Sequence, residues 1–106
     1  MISSELIEKV KERLIKAYDP LEIYLFGSYA YGAPNEESDL DLFIIVQISN
    51  EKSYKRPLKG YDALMDIDVP NDIIVYTKKE FDEKSIHLST LAYKVKNKGK
   101  KLYAKA

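Results

Sequence analysis

The stretch LFGSYAYGAPNEESDLDLFIIV, Leu25 to Val46, decides how the chain is read. It closes on five apolar residues, Leu42 to Val46, yet two aspartates, Asp39 and Asp41, stand at the mouth of that run. Separated from Asp39 by ten residues, a Gly27-Ser28 pair follows a second apolar run. In a strand, residues i and i+2 point to one face, so both carboxylates project together. Two anions that close raise each other's pKa unless positive charge sits between them. A divalent cation is the usual solution, and hard oxygen ligands suit magnesium.

Working outward, Leu40 to Gln47 predicts a central strand covered on both faces, because it is apolar throughout apart from Asp41 and Gln47. Leu21 to Phe26 predicts a strand that Gly27 breaks, and Ser28 to Tyr31 a short helical turn. A glycine there lets the backbone turn sharply and approach a ligand, and a helix opening at Ser28 would present its backbone N–H to an anion. Ile73 to Thr77 predicts a third strand after a Pro70-Asn71 turn. Asp72 sits at its mouth, so side-by-side packing of the second and third strands would bring a third carboxylate to Asp39 and Asp41. Three such groups can hold two magnesium ions, which stabilise the attacking and leaving oxygens of an in-line phosphoryl displacement.

Leu6, Val10 and Leu14, with Ile7 and Ile15, predict a helix over 3–18. Ser3 or Ser4 caps it, and Asp19-Pro20 ends it because the residue before proline avoids the helical region. A short helix is expected within 58–67, with Leu58, Tyr61, Leu64 and Met65 as its stripe. A last helix is expected from about Phe81 to Lys98, with Leu88, Leu91, Ala92 and Val95 as its stripe and Gly99 as its end. Leu102-Tyr103 reads as a short extended tail. The fold class is α+β: a small mixed sheet of three strands with helices on one side, in a single domain over residues 1–106.

The 106 residues are 45% hydrophobic and 32% charged, with zero formal net charge and no cysteine. Disulfide scaffolds and thiolate zinc sites are excluded. The balanced charge argues against direct nucleic-acid binding. No apolar run is long enough to cross a membrane, no secretory signal is visible, and a cytoplasmic location is expected. Charge is uneven along the chain: Glu36, Glu37, Asp39 and Asp41 cluster without a base, and six lysines follow from Lys94 onward without an acid. Lys55 and Arg56 are expected as exposed loop charges, His87 as structural or exposed, and the C-terminal lysines as helix-end and surface charge. Tyr29 and Tyr31 flank the glycine turn, as packing residues or as part of a nucleotide pocket.

Gly27-Ser28, ten residues, then Asp39-Leu40-Asp41 resembles the signature of the polymerase-beta-like nucleotidyltransferase superfamily. Together with the Asp72-Ile-Ile-Val strand it looks like the minimal nucleotidyltransferase (MNT) branch of prokaryotes, over nearly the whole chain. The resemblance implies phosphates held at Gly27 and Ser28, two magnesium ions on Asp39, Asp41 and Asp72, and Asp72 assisting deprotonation of an acceptor hydroxyl. The implied reaction transfers a nucleoside monophosphate, AMP from ATP or its equivalent from another nucleoside triphosphate, with pyrophosphate leaving. Minimal members are commonly paired with a helical HEPN toxin. The resemblance therefore implies an antitoxin that modifies a tyrosine of a HEPN partner within a hetero-oligomer. Two alternatives stand beside it: a non-catalytic module that occludes the HEPN partner, and transfer to a small molecule such as an antibiotic.

Overall fold

The structure, a computed structural model, describes residues 2–35 and 37–106. Glu36, part of the acidic cluster, lies outside the described residues. Helix α1 (Ser4–Tyr18) leads into strand β1 (Glu22–Phe26) and the single turn α2 (Ser28–Tyr31). Strand β2 (Leu40–Val46), helix α3 (Pro57–Ala63) and strand β3 (Asn71–Thr77) follow. Helices α4 (Lys78–Lys84) and α5 (Leu91–Lys98) and strand β4 (Lys100–Ala104) complete the chain.

The sheet order is β3-β2-β1-β4. Strand β1 runs antiparallel to β2 and β4, and β2 runs parallel to β3. A parallel pair needs a long crossover, and residues 47–70, which contain α3, supply it. β2 is central, and Leu42 through Ile45 are fully buried, as its unbroken apolar run requires. Alternate residues of the sheet feed two cores. Ile23, Leu25, Leu42 and Ile44 pack with Val10 and Leu14 of α1. Tyr24, Phe43 and Ile45 pack with Phe81 of α4 and with Ala92 and Val95 of α5.

Helices therefore cover both faces of the sheet, not the single side expected. α1 packs on one face, and the C-terminal segment, two helices where one was expected, packs on the other. α4 starts at Lys78, earlier than the stripe suggested, through a capping box. Thr77 Oγ1 accepts from the Glu80 N–H at 3.2 Å, while Glu80 Oε1 accepts from the Thr77 N–H at 2.8 Å. The chain then turns over residues 85–90. Thr90 Oγ1 lies 2.7 Å from the Lys84 carbonyl and accepts from the Tyr93 N–H at 3.1 Å, so it closes one helix and caps the next. Leu88 falls in that turn and is 77% exposed. His87 is exposed as well.

Other differences are local. The C-terminal tail is a fourth strand, with Tyr103 opposite Ile23. Gly99 ends α5 in extended backbone (φ −68°, ψ 157°), not in the left-handed region. α3 is shifted toward Pro57, and of its expected stripe Leu58 is 62% exposed while Leu64 is buried. Asn71 opens β3 and does not sit in a turn. The start of α1 follows expectation, with Ser3 Oγ accepting from the Leu6 N–H at 3.2 Å. Its end does too: Asp19 leaves the right-handed helical region for φ 46° before Pro20.

Arg56 is a correction with consequences for stability. It is only 8% exposed. Its guanidinium donates to Glu80 Oε1 at 2.6 Å, to the Glu51 carbonyl at 3.2 Å and to the Val75 carbonyl at 3.3 Å. The planar fork joins the crossover to β3 and to the capping box of α4, a geometry lysine could not reproduce. Lys55 beside it is exposed, as expected. Arg56→Met keeps the apolar stem and removes those donors. It should lower stability by about 2 kcal/mol, since two carbonyls and one carboxylate lose their partner. A lower urea midpoint at unchanged slope is the expected result.

Candidate active site

The sheet register builds the site. Asp41 lies opposite Phe26, the residue before Gly27, on its antiparallel side. It lies opposite Asp72 on its parallel side. Phe26, Asp41 and Asp72 therefore stand in a row across three neighbouring strands, and Gly27 follows directly on its β1 end. Asp41 and Asp72 share the sheet face of Phe43, Ile74 and Tyr76, so the apolar body of each strand fixes where its aspartate emerges.

Gly27 is the closest fit in this row. Its backbone (φ 70°, ψ −151°) lies in a region that is essentially glycine-only. A Cβ placed there would collide with Asp41 Oδ2. The missing side chain lets the Asp41 carboxylate lie against the turn backbone. From Gly27 the chain enters α2, and its carbonyl accepts from the N–H groups of Ala30 and Tyr31 at 3.0 and 3.1 Å. A first helical turn leaves the N–H groups of Ser28 and Tyr29 without intrahelical acceptors. Tyr29 anchors the turn, with its hydroxyl accepting from the Ile2 N–H at 3.0 Å. Lys94 of α5 lies over the Tyr31 ring, 4.7 Å from its centroid.

The electrostatics agree with the register. Burial pushes the Asp41 carboxyl above its ordinary value, and the negative charges of Asp72 and Asp39 push it the same way. Asp39 itself is exposed, two residues before Asp41. Among the described residues, no three acidic or histidine side chains stand close enough together to hold a metal ion. The donor chemistry nevertheless fits magnesium. Asp39, Asp41 and Asp72 offer only hard oxygens, and their mutual repulsion is what a divalent cation relieves.

That repulsion has a readable sign. An acid whose folded pKa is raised contributes stability below its unfolded value, and the contribution is lost as pH rises through the folded one. In metal-free protein Asp41→Asn should therefore raise the melting temperature at neutral pH, and the gain should shrink toward about pH 3. A lower melting temperature at neutral pH would mean that the Asp41 anion has a stabilising partner.

The sequence places Tyr61 only on a helical stripe, yet it belongs to this site. Its hydroxyl donates to Asp72 Oδ1 at 2.9 Å and accepts from the Ile73 N–H at 3.1 Å. Burial, with the neighbouring Asp72 carboxylate, holds the phenol above its ordinary range, against the lowering effect of the Ile73 N–H. No spacing rule reveals this pair, because the contact joins α3 to the mouth of β3 across the crossover. The site stands at the end of the sheet where β1 finishes and β2 and β3 begin. A separate groove of about 480 Å³ along α5, lined by Leu88, Thr90, Tyr93, Lys94 and Asn97, contains none of the row's residues.

Residues 8–106 match the polymerase beta nucleotidyltransferase family. The chain belongs to the polymerase beta nucleotidyltransferase family. A candidate protein adenylyltransferase of Methanocaldococcus jannaschii is 33% identical over 92 residues, covering 79% of this chain and 92% of that protein. The crystal structure of a candidate nucleotidyltransferase of Sulfolobus solfataricus superposes with a TM-score of 0.59 at 26% identity, over 74% of this chain and 70% of that one. A second candidate nucleotidyltransferase structure superposes with a TM-score of 0.55 at 23% identity, over 92% and 97% of the two chains, and shows the shared fold. The four-stranded mixed sheet of this nucleotidyltransferase domain is the fold of these neighbours, and the matches accord with the minimal branch of the family. Among the described residues, no helix is long and apolar enough to cross a membrane.

Proposed function

We propose that this nucleotidyltransferase transfers AMP from ATP, with magnesium, to a tyrosine hydroxyl of a HEPN-family partner, and so acts as a cytoplasmic antitoxin. The observation that carries the reading is the row Gly27, Asp41, Asp72, in which a glycine-only turn abuts one carboxylate and a second stands beside it in register. The name of the Methanocaldococcus jannaschii relative, a candidate protein adenylyltransferase, supports a protein acceptor and an adenylyl group.

In this reading the backbone at Gly27 and Ser28 holds the triphosphate, since close approach to an anion needs a bare turn. Asp39, Asp41 and Asp72 would hold magnesium, two ions by donor count. Magnesium, when bound, supplies positive charge beside the attacking and leaving oxygens. Asp72 is the carboxylate nearest the outer edge of the sheet, so it faces an acceptor arriving there and takes its proton.

The test is incubation of the chain with labelled ATP, magnesium and its HEPN partner. Label on a partner tyrosine is the expected result. A partner that binds but stays unlabelled with all four nucleoside triphosphates would rule the reading out. Neutralisation that survives Asp39→Asn with Asp41→Asn would favour simple occlusion.

A further inference from the structure

We propose that Tyr61 is itself a nucleotidyl acceptor, so that the chain modifies its own Tyr61 hydroxyl with a nucleoside monophosphate. The inference rests on the nucleotidyltransferase reading above and adds an acceptor within the chain. The first observation is the 2.9 Å hydrogen bond from the Tyr61 hydroxyl to Asp72 Oδ1. A phenol already faces the carboxylate assigned to receive the acceptor's proton. The second is the Ile73 N–H, which donates to the same phenolic oxygen at 3.1 Å and fixes it at the mouth of β3. A phenol oxygen accepting one hydrogen bond keeps a lone pair for attack.

The third observation is the strand order. β3 lies on one side of β2 and β1 on the other, with Asp41 on the strand between them. Tyr61 and Asp72 thus stand on the side opposite the Gly27-Ser28 turn. In-line displacement needs the attacking and leaving oxygens on opposite sides of the phosphorus. A triphosphate held at Gly27-Ser28 directs its pyrophosphate toward β1 and opens its α-phosphorus toward Tyr61. Tyr61 is 38% exposed, so packing does not enclose it.

The step balances within the proposed reactants. The Tyr61 oxygen forms a bond to the α-phosphorus of a nucleoside triphosphate. The bond from that phosphorus to its β-bridging oxygen breaks, and pyrophosphate leaves with the electron pair. The phenolic proton passes to Asp72. The product is a tyrosyl phosphodiester with no proton to give Asp72 and a new negative charge beside it, so modification stops at one group per chain. Neighbouring tyrosines are placed differently: the Tyr29 hydroxyl bonds to the Ile2 N–H and not to an aspartate, and the Tyr76 ring packs 4.8 Å from that of Phe43.

The test uses the full chain with magnesium and each of the four nucleoside triphosphates. Melting temperature reports binding, and peptide mass mapping locates any modification. We expect a raised melting temperature and a single nucleoside monophosphate on Tyr61. In Tyr61→Phe the modification should vanish while the ligand-induced rise in melting temperature persists. A rise in melting temperature with Tyr61 unmodified by every nucleotide overturns this proposal and leaves the reading above standing. Modification elsewhere that persists undiminished in Tyr61→Phe also overturns it. No rise and no modification overturns both. If Tyr61→Phe fails to fold, the map of the wild-type chain decides alone.

Discussion

Gly27→Ala should reduce nucleotidyl transfer by about a hundredfold and destabilise the fold at the same time. Two effects act together. The new Cβ would meet Asp41 Oδ2 in a space that glycine leaves free. The backbone at φ 70°, ψ −151° would carry a side chain in a region worth about 1–3 kcal/mol of strain. Relief comes only by moving the turn or the carboxylate. Misplacing a reacting group by about 1 Å commonly loses a hundredfold in rate. The melting temperature should fall by roughly 5–10 °C, as expected for that strain in a domain of this size. Unchanged transfer in a well-folded Gly27→Ala protein would separate the turn from the chemistry.

Asp39→Asn combined with Asp41→Asn should lower transfer by about a thousandfold or more, equivalent to about 4 kcal/mol in the barrier. Amide oxygens keep the shape of the side chains but lose the charge that holds a divalent ion. The fold should survive. Asp39 is exposed, and Asp41 carries repulsion from Asp72 and Asp39 that the substitution removes. Loss of activity with retained or increased metal-free stability is a pattern that a purely structural pair of carboxylates would not produce.

The parts of the fold legible in the sequence are those set by local pattern. The run Leu40–Val46 can be buried on both faces only as a central strand, and it is one. Gly27 marks a break that no other residue type tolerates, and the structure gives it a positive φ. The parts that were not legible depend on distant partners. The strand β4 contains only Leu102, Tyr103 and Ala104 as apolar residues, and its place in the sheet comes from pairing with β1. The break at residues 85–90 was hidden because Leu88 continues an apparent helical stripe, whereas Thr90 forms a cap that resets the helix. Arg56 looks like surface charge until Glu80, twenty-four residues on, closes over it.

The same distinction holds within the site. Asp41 and Asp72 follow from strand mouths and strand neighbours, and the parallel register sets them directly opposite each other. Tyr61 does not follow from any periodicity. Its helical spacing with Leu64 suggested packing, while its hydroxyl reaches across the crossover to Asp72. Side-chain hydrogen bonds between elements carry no local signature, and this one changes what the site can do.

The central claim is that the Gly27, Asp41, Asp72 row binds a magnesium nucleotide. The most direct measurement is the melting temperature of the wild-type chain and of the Asp39→Asn, Asp41→Asn variant, each alone and with magnesium and ATP in excess. A ligand bound only by the folded state raises the transition, by about 2.7 kcal/mol at a hundred times its dissociation constant. A rise in the wild-type chain that is absent from the variant is the predicted result. An equal rise in both proteins, or none in either with any nucleoside triphosphate, would contradict it.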